Sequence, residues 1–152
     1  MPKRSTEGCS RIASNSLKVV AMNNPISQMM TKSAWTVDTE QTVETVQHLL
    51  NLRGLSSVPV ADSKGAVFGI ISAADLLLFH SEGKNPKAIK AWEICTRKPI
   101  EVGPATPIGE VARLMVENKI HHVVVTENGK VQGIVSSLDF VQQYVLKGGP
   151  NS

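Results

Sequence analysis

The feature that most constrains this chain is an internal duplication. Gly69-Ile70-Ile71-Ser72-Ala73-Ala74-Asp75 returns sixty-four residues later as Gly133-Ile134-Val135-Ser136-Ser137-Leu138-Asp139. Both copies run glycine, two β-branched residues, serine, two spacers and aspartate, and both lead into an apolar helical pattern. Physically, each reads as a short buried strand that ends on a serine. The serine opens a helix whose first N–H groups have no intrahelical partner. It can cap that turn, with the acid three residues on completing a capping box. The same turn can hold an anion. For one copy alone the capping box is the favoured reading. The repetition shifts the balance toward a built site, because the flanks repeat as well.

At an offset of 65, Met30-Thr31-Lys32 falls on Cys95-Thr96-Arg97, Val37 on Val102, Val46 on Val111, and Leu49-Leu50 on Leu114-Met115. Val58 and Val60 fall on Val123 and Val125. The offset then drops to 64, because Asp62-Ser63-Lys64-Gly65 is one residue longer than Glu127-Asn128-Gly129. A hairpin turn is where an insertion costs least. Each unit reads as a short strand (Ala34–Val37; Pro99–Val102) and a helix with apolar residues at i, i+3, i+6 and i+7. Two strands around a glycine-containing turn follow, then a closing helix (Ala73–His80; Ser137–Leu146). Gly54 suits a helix stop and Pro107 a helix start. The order is β-α-β-β-α, twice, an α/β (α+β) architecture. A three-stranded unit of about 60 residues leaves too much apolar surface exposed. Two units packed sheet to sheet about a pseudo-twofold axis would bury it and leave two clefts beside Ser72 and Ser136. The divisions expected are a disordered basic tail (1–16), repeat one (17–85), repeat two (86–148) and a disordered end (149–152). Leu17–Met22 would add an edge strand or turn, Ile26–Met30 a short helix, and Trp92 an anchor for the second unit.

Of the 152 residues 41% are hydrophobic and only 4% aromatic, so aliphatic side chains must fill the core. Lys3, Arg4, Arg11 and Lys18 against Glu7 place the whole net charge of +3 in the first eighteen residues. The body is neutral, which argues against a nucleic-acid surface. No apolar run approaches a membrane span. Two cysteines, Cys9 and Cys95, make no disulfide framework and suit a reducing compartment. The cytoplasm is expected; an organelle such as the mitochondrion is the alternative, from the Arg/Ser-biased start.

The duplication, Val58-Pro59-Val60 before its hairpin and the two Gly-h-h-Ser-x-x-Asp segments (h, hydrophobic) resemble a tandem pair of cystathionine-beta-synthase (CBS) domains, a Bateman module, over about residues 25–146. Within that family the chain looks most like the gamma subunits of AMP-activated protein kinase, from Lys119-Ile120-His121-His122 and Gly133-Ile134-Val135-Ser136. The resemblance implies an energy-sensing regulatory module, with no cofactor required. Its ligand would be an adenosine compound (AMP, ADP, ATP or S-adenosylmethionine) held in the inter-repeat clefts and reported to an enzyme or transporter. By position, Asp75 and Asp139 would accept from ribose hydroxyls, and Ser72 and Ser136 would meet phosphate. Thr31 and Thr96, with Leu55, Ser56, Ser57 and Val58 and with Ile120, His121, His122 and Val123, would wall the adenine. The sites should cross between repeats, Asp75 serving a base held by the second unit and Asp139 the reverse.

This sequence departs from the family's His-Arg pair. It has His121-His122, largely neutral at pH 7, and Ser56-Ser57 at the matching first-unit positions. Lys32, Arg97 and Lys119 are the remaining cation candidates, so a monophosphate or a phosphate-free adenosine ligand suits the clefts better than ATP. Strand alternation would point His121 and His122 to opposite faces, away from a shared metal. No nucleophile and base lie at catalytic spacing, so an enzyme is not expected. The apolar runs Leu76-Leu77-Leu78-Phe79 and Phe140-Val141 with Tyr144-Val145 suggest homodimerisation. The competing function is a ligand-free assembly module. If the aspartates serve ligand rather than core, Asp139→Ala should remove binding and leave the fold intact.

Overall fold

In each half of the molecule a hairpin carries the sheet, and the computed structural model describes residues 20–32 and 35–146. The basic tail, Cys9, the side chain of Lys32 and the last residues lie outside that description. The strands are β1 (Thr31–Lys32), β2 (Val37–Asp38), β3 (Ser57–Ala61), β4 (Val67–Ser72), β5 (Thr96–Arg97), β6 (Glu101–Val102), β7 (His122–Glu127) and β8 (Lys130–Ser136). The helices are α1 (Val43–Arg53), α2 (Ala73–Ser81), α3 (Ala91–Ile94), α4 (Ile108–Asn118) and α5 (Ser137–Val141). A 3₁₀ turn, Ile26–Gln28, precedes β1, and a π turn, Gln142–Leu146, follows α5. The β-α-β-β-α order appears twice, as the repeat requires. No helix among the described residues is long and apolar enough to cross a membrane.

Local chemistry accounts for the helix ends. Thr42 caps α1 by accepting from the amide of Thr45, and Gly54 stops it at φ 64°, a left-handed position that costs glycine no steric penalty. Lys119 ends α4 in the same conformation at φ 54°. Ser72 and Ser136 each cap a closing helix with a complete capping box.

The sheets differ from the three-stranded expectation. Each has four strands, in the orders β2-β3-β4-β5 and β1-β8-β7-β6. The outer strand of each comes from the other unit. β5 runs antiparallel to β4, with Gly69 opposite Arg97 and Ile70 opposite Thr96. β1 runs antiparallel to β8, with Thr31 opposite Ile134 and Lys32 opposite Gly133. At the opposite edge of each sheet, β2–β3 and β6–β7 are parallel, and β3 packs beside β8 where the halves meet.

The cores are exchanged in the same way. Ile26, near the start of the first unit, is fully buried among Ile108, Val111, Met115, Val123, Val125 and Val135 of the second. Ala91, which opens the second, is fully buried among Val37, Val46, Leu50, Val58, Val60 and Ile71 of the first. Trp92 is not the expected anchor: it is 44% exposed, and its small neighbour Ala91 fills the space. Backbone bonds fix both lead-ins. Ile26 N donates to Thr106 O at 2.7 Å and Ala91 N to Gln41 O at 2.7 Å. Residues 20–24 add a strap over the second unit: the Ile108 and Gly109 amides donate to Asn24 and Met22, and the Tyr144 hydroxyl to Val20 O at 2.5 Å.

The exchange explains the glycine of the repeated motif. A Cβ at Gly69 would lie 2.6 Å from the Thr96 carbonyl oxygen and 2.7 Å from Cys95 Sγ. A Cβ at Gly133 would lie 2.6 Å from the Thr31 carbonyl oxygen and 2.9 Å from Met30 Sδ. In both halves the incoming strand crosses where only hydrogen fits.

Candidate functional site

Strand β4 ends on Ser72, whose extended backbone (φ −114°, ψ 170°) turns the chain into α2. Asp75 Oδ2 accepts from the Ser72 amide at 2.8 Å and its hydroxyl at 3.1 Å, and Ser72 Oγ accepts from the Asp75 amide at 3.4 Å. The second unit repeats the box, with Ser136 N to Asp139 Oδ2 at 2.8 Å and Asp139 N to Ser136 Oγ at 3.3 Å. The bonds to the carboxylates all fall on Oδ2, which leaves Oδ1 of each with its acceptor capacity. The aspartates therefore support their helices directly, so Asp139→Ala carries a stability cost of its own.

Beside the first of these boxes lies a cavity of about 420 Å³ between the halves, within the range of small-molecule sites. The first unit brings Ser56, Ile70, Ser72 and Asp75 to it, and the second brings Thr96, Lys98, Ile120, His121 and His122. Ala73 and Ala74 on one side and Pro99 and Ile100 on the other complete an apolar wall. The combination suits a flat apolar group that carries hydroxyls and modest negative charge. Asp75 offers an acceptor, Ser72 a hydroxyl, and Lys98 a permanent cation.

The expected site residues divide into several groups. Ser56, Ser72, Asp75, Thr96, Ile120, His121 and His122 meet around this one cavity. Ser136 and Asp139 form the equivalent helix start, and Thr31 lies on the strand beside it. Val58 and Val123 are fully buried in the two cores, so their side chains pack rather than wall a ligand; Ser57 is buried beside Val58, and Leu55 packs on the first core. The Arg97 guanidinium lies over the Phe68 ring, 4.1 Å from its centre, instead of entering the cavity. Lys119 is exposed and borders a separate depression of about 300 Å³ with Met115, Val116, Ile120, His121 and Ser137.

The cation that does line the cavity, Lys98, was missed from sequence. It adopts φ 55° in the turn after β5, a conformation unusual for a residue with a Cβ, and nothing in its local sequence announces it. The two histidines also depart from strand alternation. β7 begins at His122, so His121 precedes the pleat and both rings border the same space. His121 Nδ1 lies 3.4 Å from Ser137 Oγ. Burial pushes the His122 imidazole below its ordinary pKa and His121 adds to that, while Asp75 and Asp139 pull the other way. Burial likewise raises the Cys95 thiol, which Arg97 partly offsets.

Comparison with known proteins agrees with this fold. The CBS domain model matches twice, over residues 26–82 and 91–145. The chain belongs to the CBS domain family and carries the domain as a tandem pair. It is similar to an uncharacterized conserved protein from Pyrococcus horikoshii, at 30% identity and TM-score 0.72 over 81% of this chain and 93% of that one. It shares its fold with CBSX2, solved in complex with AMP, at 24% identity and TM-score 0.67 over 78% and 94% of the two chains. The CBS domain pair of protein MJ0100, solved with 5-methylthioadenosine and S-adenosyl-L-methionine, is 24% identical with TM-score 0.70 over 78% and 93%. The chain spans about half the length of the first curated relatives it matches.

Proposed function

We propose that this CBS pair is a regulatory module that binds an adenosine-containing ligand between its repeats and alters the activity of a partner enzyme or transporter. The observation that carries the reading is the cavity itself. Asp75 and Ser72 of one repeat meet Thr96, Ile120, His121 and His122 of the other across about 420 Å³. The free acceptor of Asp75 suits a ribose hydroxyl, and the apolar wall suits a purine. Adenosine ligands in CBSX2 and in the MJ0100 pair support the class of compound. With Lys98 as its basic side chain and burial holding His122 below its ordinary pKa, the cavity favours a monophosphate or a phosphate-free adenosine compound over ATP. Leu77 and Leu78 on α2 are 74% and 61% exposed, and Val145 and Leu146 beyond α5 are 67% and 69% exposed. Those apolar faces support a homodimer through the closing helices.

A thermal-shift and calorimetric series with AMP, ADP, ATP and S-adenosylmethionine tests the reading. A ligand at 100 times its Kd should add about 2.7 kcal/mol of stability, and Asp75→Asn should remove most of that gain. ATP binding tightest would overturn the monophosphate preference. No response to any of the four would leave the pair as an assembly module.

A further inference from the structure

We infer that the cavity beside Asp75 takes a phosphate-bearing ligand together with a proton, held on the imidazole of His122 next to His121 and Lys98. This rests on the adenosine reading above and adds a regulatory property to it. At the positions of Ser56 and Ser57 in the first unit, the second unit carries two titratable rings, and both border the cavity. A serine pair has no proton of its own to couple to an anion. A histidine pair gains charge only when it takes up a proton from solvent.

The groups around His122 set the direction. His121 on the preceding residue opposes a positive charge there, and Lys98 lines the same cavity. Asp75 from α2 and Asp139 from α5 favour it, as does any anion that enters. Burial and the neighbouring ring keep His122 neutral in the empty cavity near pH 7. A phosphate dianion reverses the balance. It adds two negative charges near a ring whose protonation Asp75 and Asp139 already favour. The ring then binds its proton more tightly, and by linkage the ligand binds more tightly as pH falls. For one linked proton the gain reaches about tenfold per pH unit. It ends near pH 6, where the phosphate itself takes a proton. The pair would thus read acidity and nucleotide together.

The test follows the histidine ring signals of the full chain by NMR between pH 5.5 and 8.5, alone and saturated with AMP. His122→Ser assigns the His122 signal among the four histidines of the chain by its loss; where that variant does not fold, His48→Gln, His80→Gln and His121→Ser together leave it by elimination. The same titration with adenosine supplies the phosphate-free control. The midpoint of His122 should rise by about one pH unit with AMP, a tenfold change in proton affinity, and should not rise with adenosine. Calorimetry at pH 7.5 in two buffers of different ionisation heat should show net proton uptake with AMP. An unmoved His122 midpoint in an AMP-saturated protein overturns the inference. Binding of adenosine without AMP overturns it too and spares the adenosine reading. Binding of neither removes both.

Discussion

Gly69→Ala tests the strand exchange, the feature on which the cavity depends. The added Cβ would stand 2.6 Å from a backbone oxygen, that of Thr96, and 2.7 Å from Cys95 Sγ. Ordinary van der Waals contact needs roughly 0.8 Å more. Both obstructing residues belong to the segment that enters from the second unit, and a backbone carbonyl cannot rotate away as a side-chain tip can. Either β4 or β5 must shift, against the pairing of Gly69 with Arg97 and Ile70 with Thr96. Overpacking of this kind costs about 1–3 kcal/mol. At about 2–4 °C per kcal/mol for a chain of this size, the melting temperature should fall by roughly 2–12 °C. Thr96 and Lys98 would leave the cavity wall with β5, so ligand stabilisation should fall as well. Differential scanning fluorimetry with and without AMP reads both effects, and amide exchange at Thr96 and Arg97 locates the damage. Gly103→Ala is the control, since a Cβ there meets open space and its φ is ordinary. If Gly69→Ala melts with the wild type and keeps its Thr96 and Arg97 amides protected, β5 does not cross where the structure places it.

Ile26→Ala should cost about 2–5 kcal/mol in urea unfolding, because this residue of the first repeat completes the core of the second; a cost under 1 kcal/mol would place Ile26 outside that core. Ser136→Ala should lower stability by about 0.5–2 kcal/mol through loss of the cap on α5, while Asp139→Ala should cost a comparable amount and show in a melt without ligand. In a Cys9→Ser background, Cys95 should react with a thiol reagent more slowly at pH 8 than a free cysteine does. Burial raises its pKa, so the thiolate forms only at higher pH, and a rate equal to that of free cysteine would contradict this.

The duplicated motif made the helices, the hairpins and the two capped helix starts legible, because periodicity and capping are local signals. The exchanged strands were not legible. Thr31–Lys32 and Thr96–Arg97 are two residues each, too short to show alternation. β1 finds its partner about 100 residues away and β5 in the preceding unit. Only the tightness at Gly69 and Gly133 marks them, and glycine by itself does not say what crosses it. Asp75 and the histidines of the cavity were found by position, whereas Lys98 depends on a backbone angle that neighbouring residues do not encode. Trp92 drew attention by its size, yet the space to be filled suits alanine. Arg97 was chosen for its charge, and it stacks on Phe68 instead.

The borrowed outer strands have a consequence for how such a molecule can be divided. A chain cut in the loop between Ser81 and Lys90 yields an N-terminal piece whose β4 has lost its neighbour, with the hydrogen-bonding groups around Gly69 open to any extended segment. The same piece keeps β1, which no longer has β8 to lie against. Two copies of that piece could complete one another by trading these ends, as in domain swapping. A single repeat is therefore a half-finished object that seeks company, and the tandem chain is the form in which that need is met within one molecule.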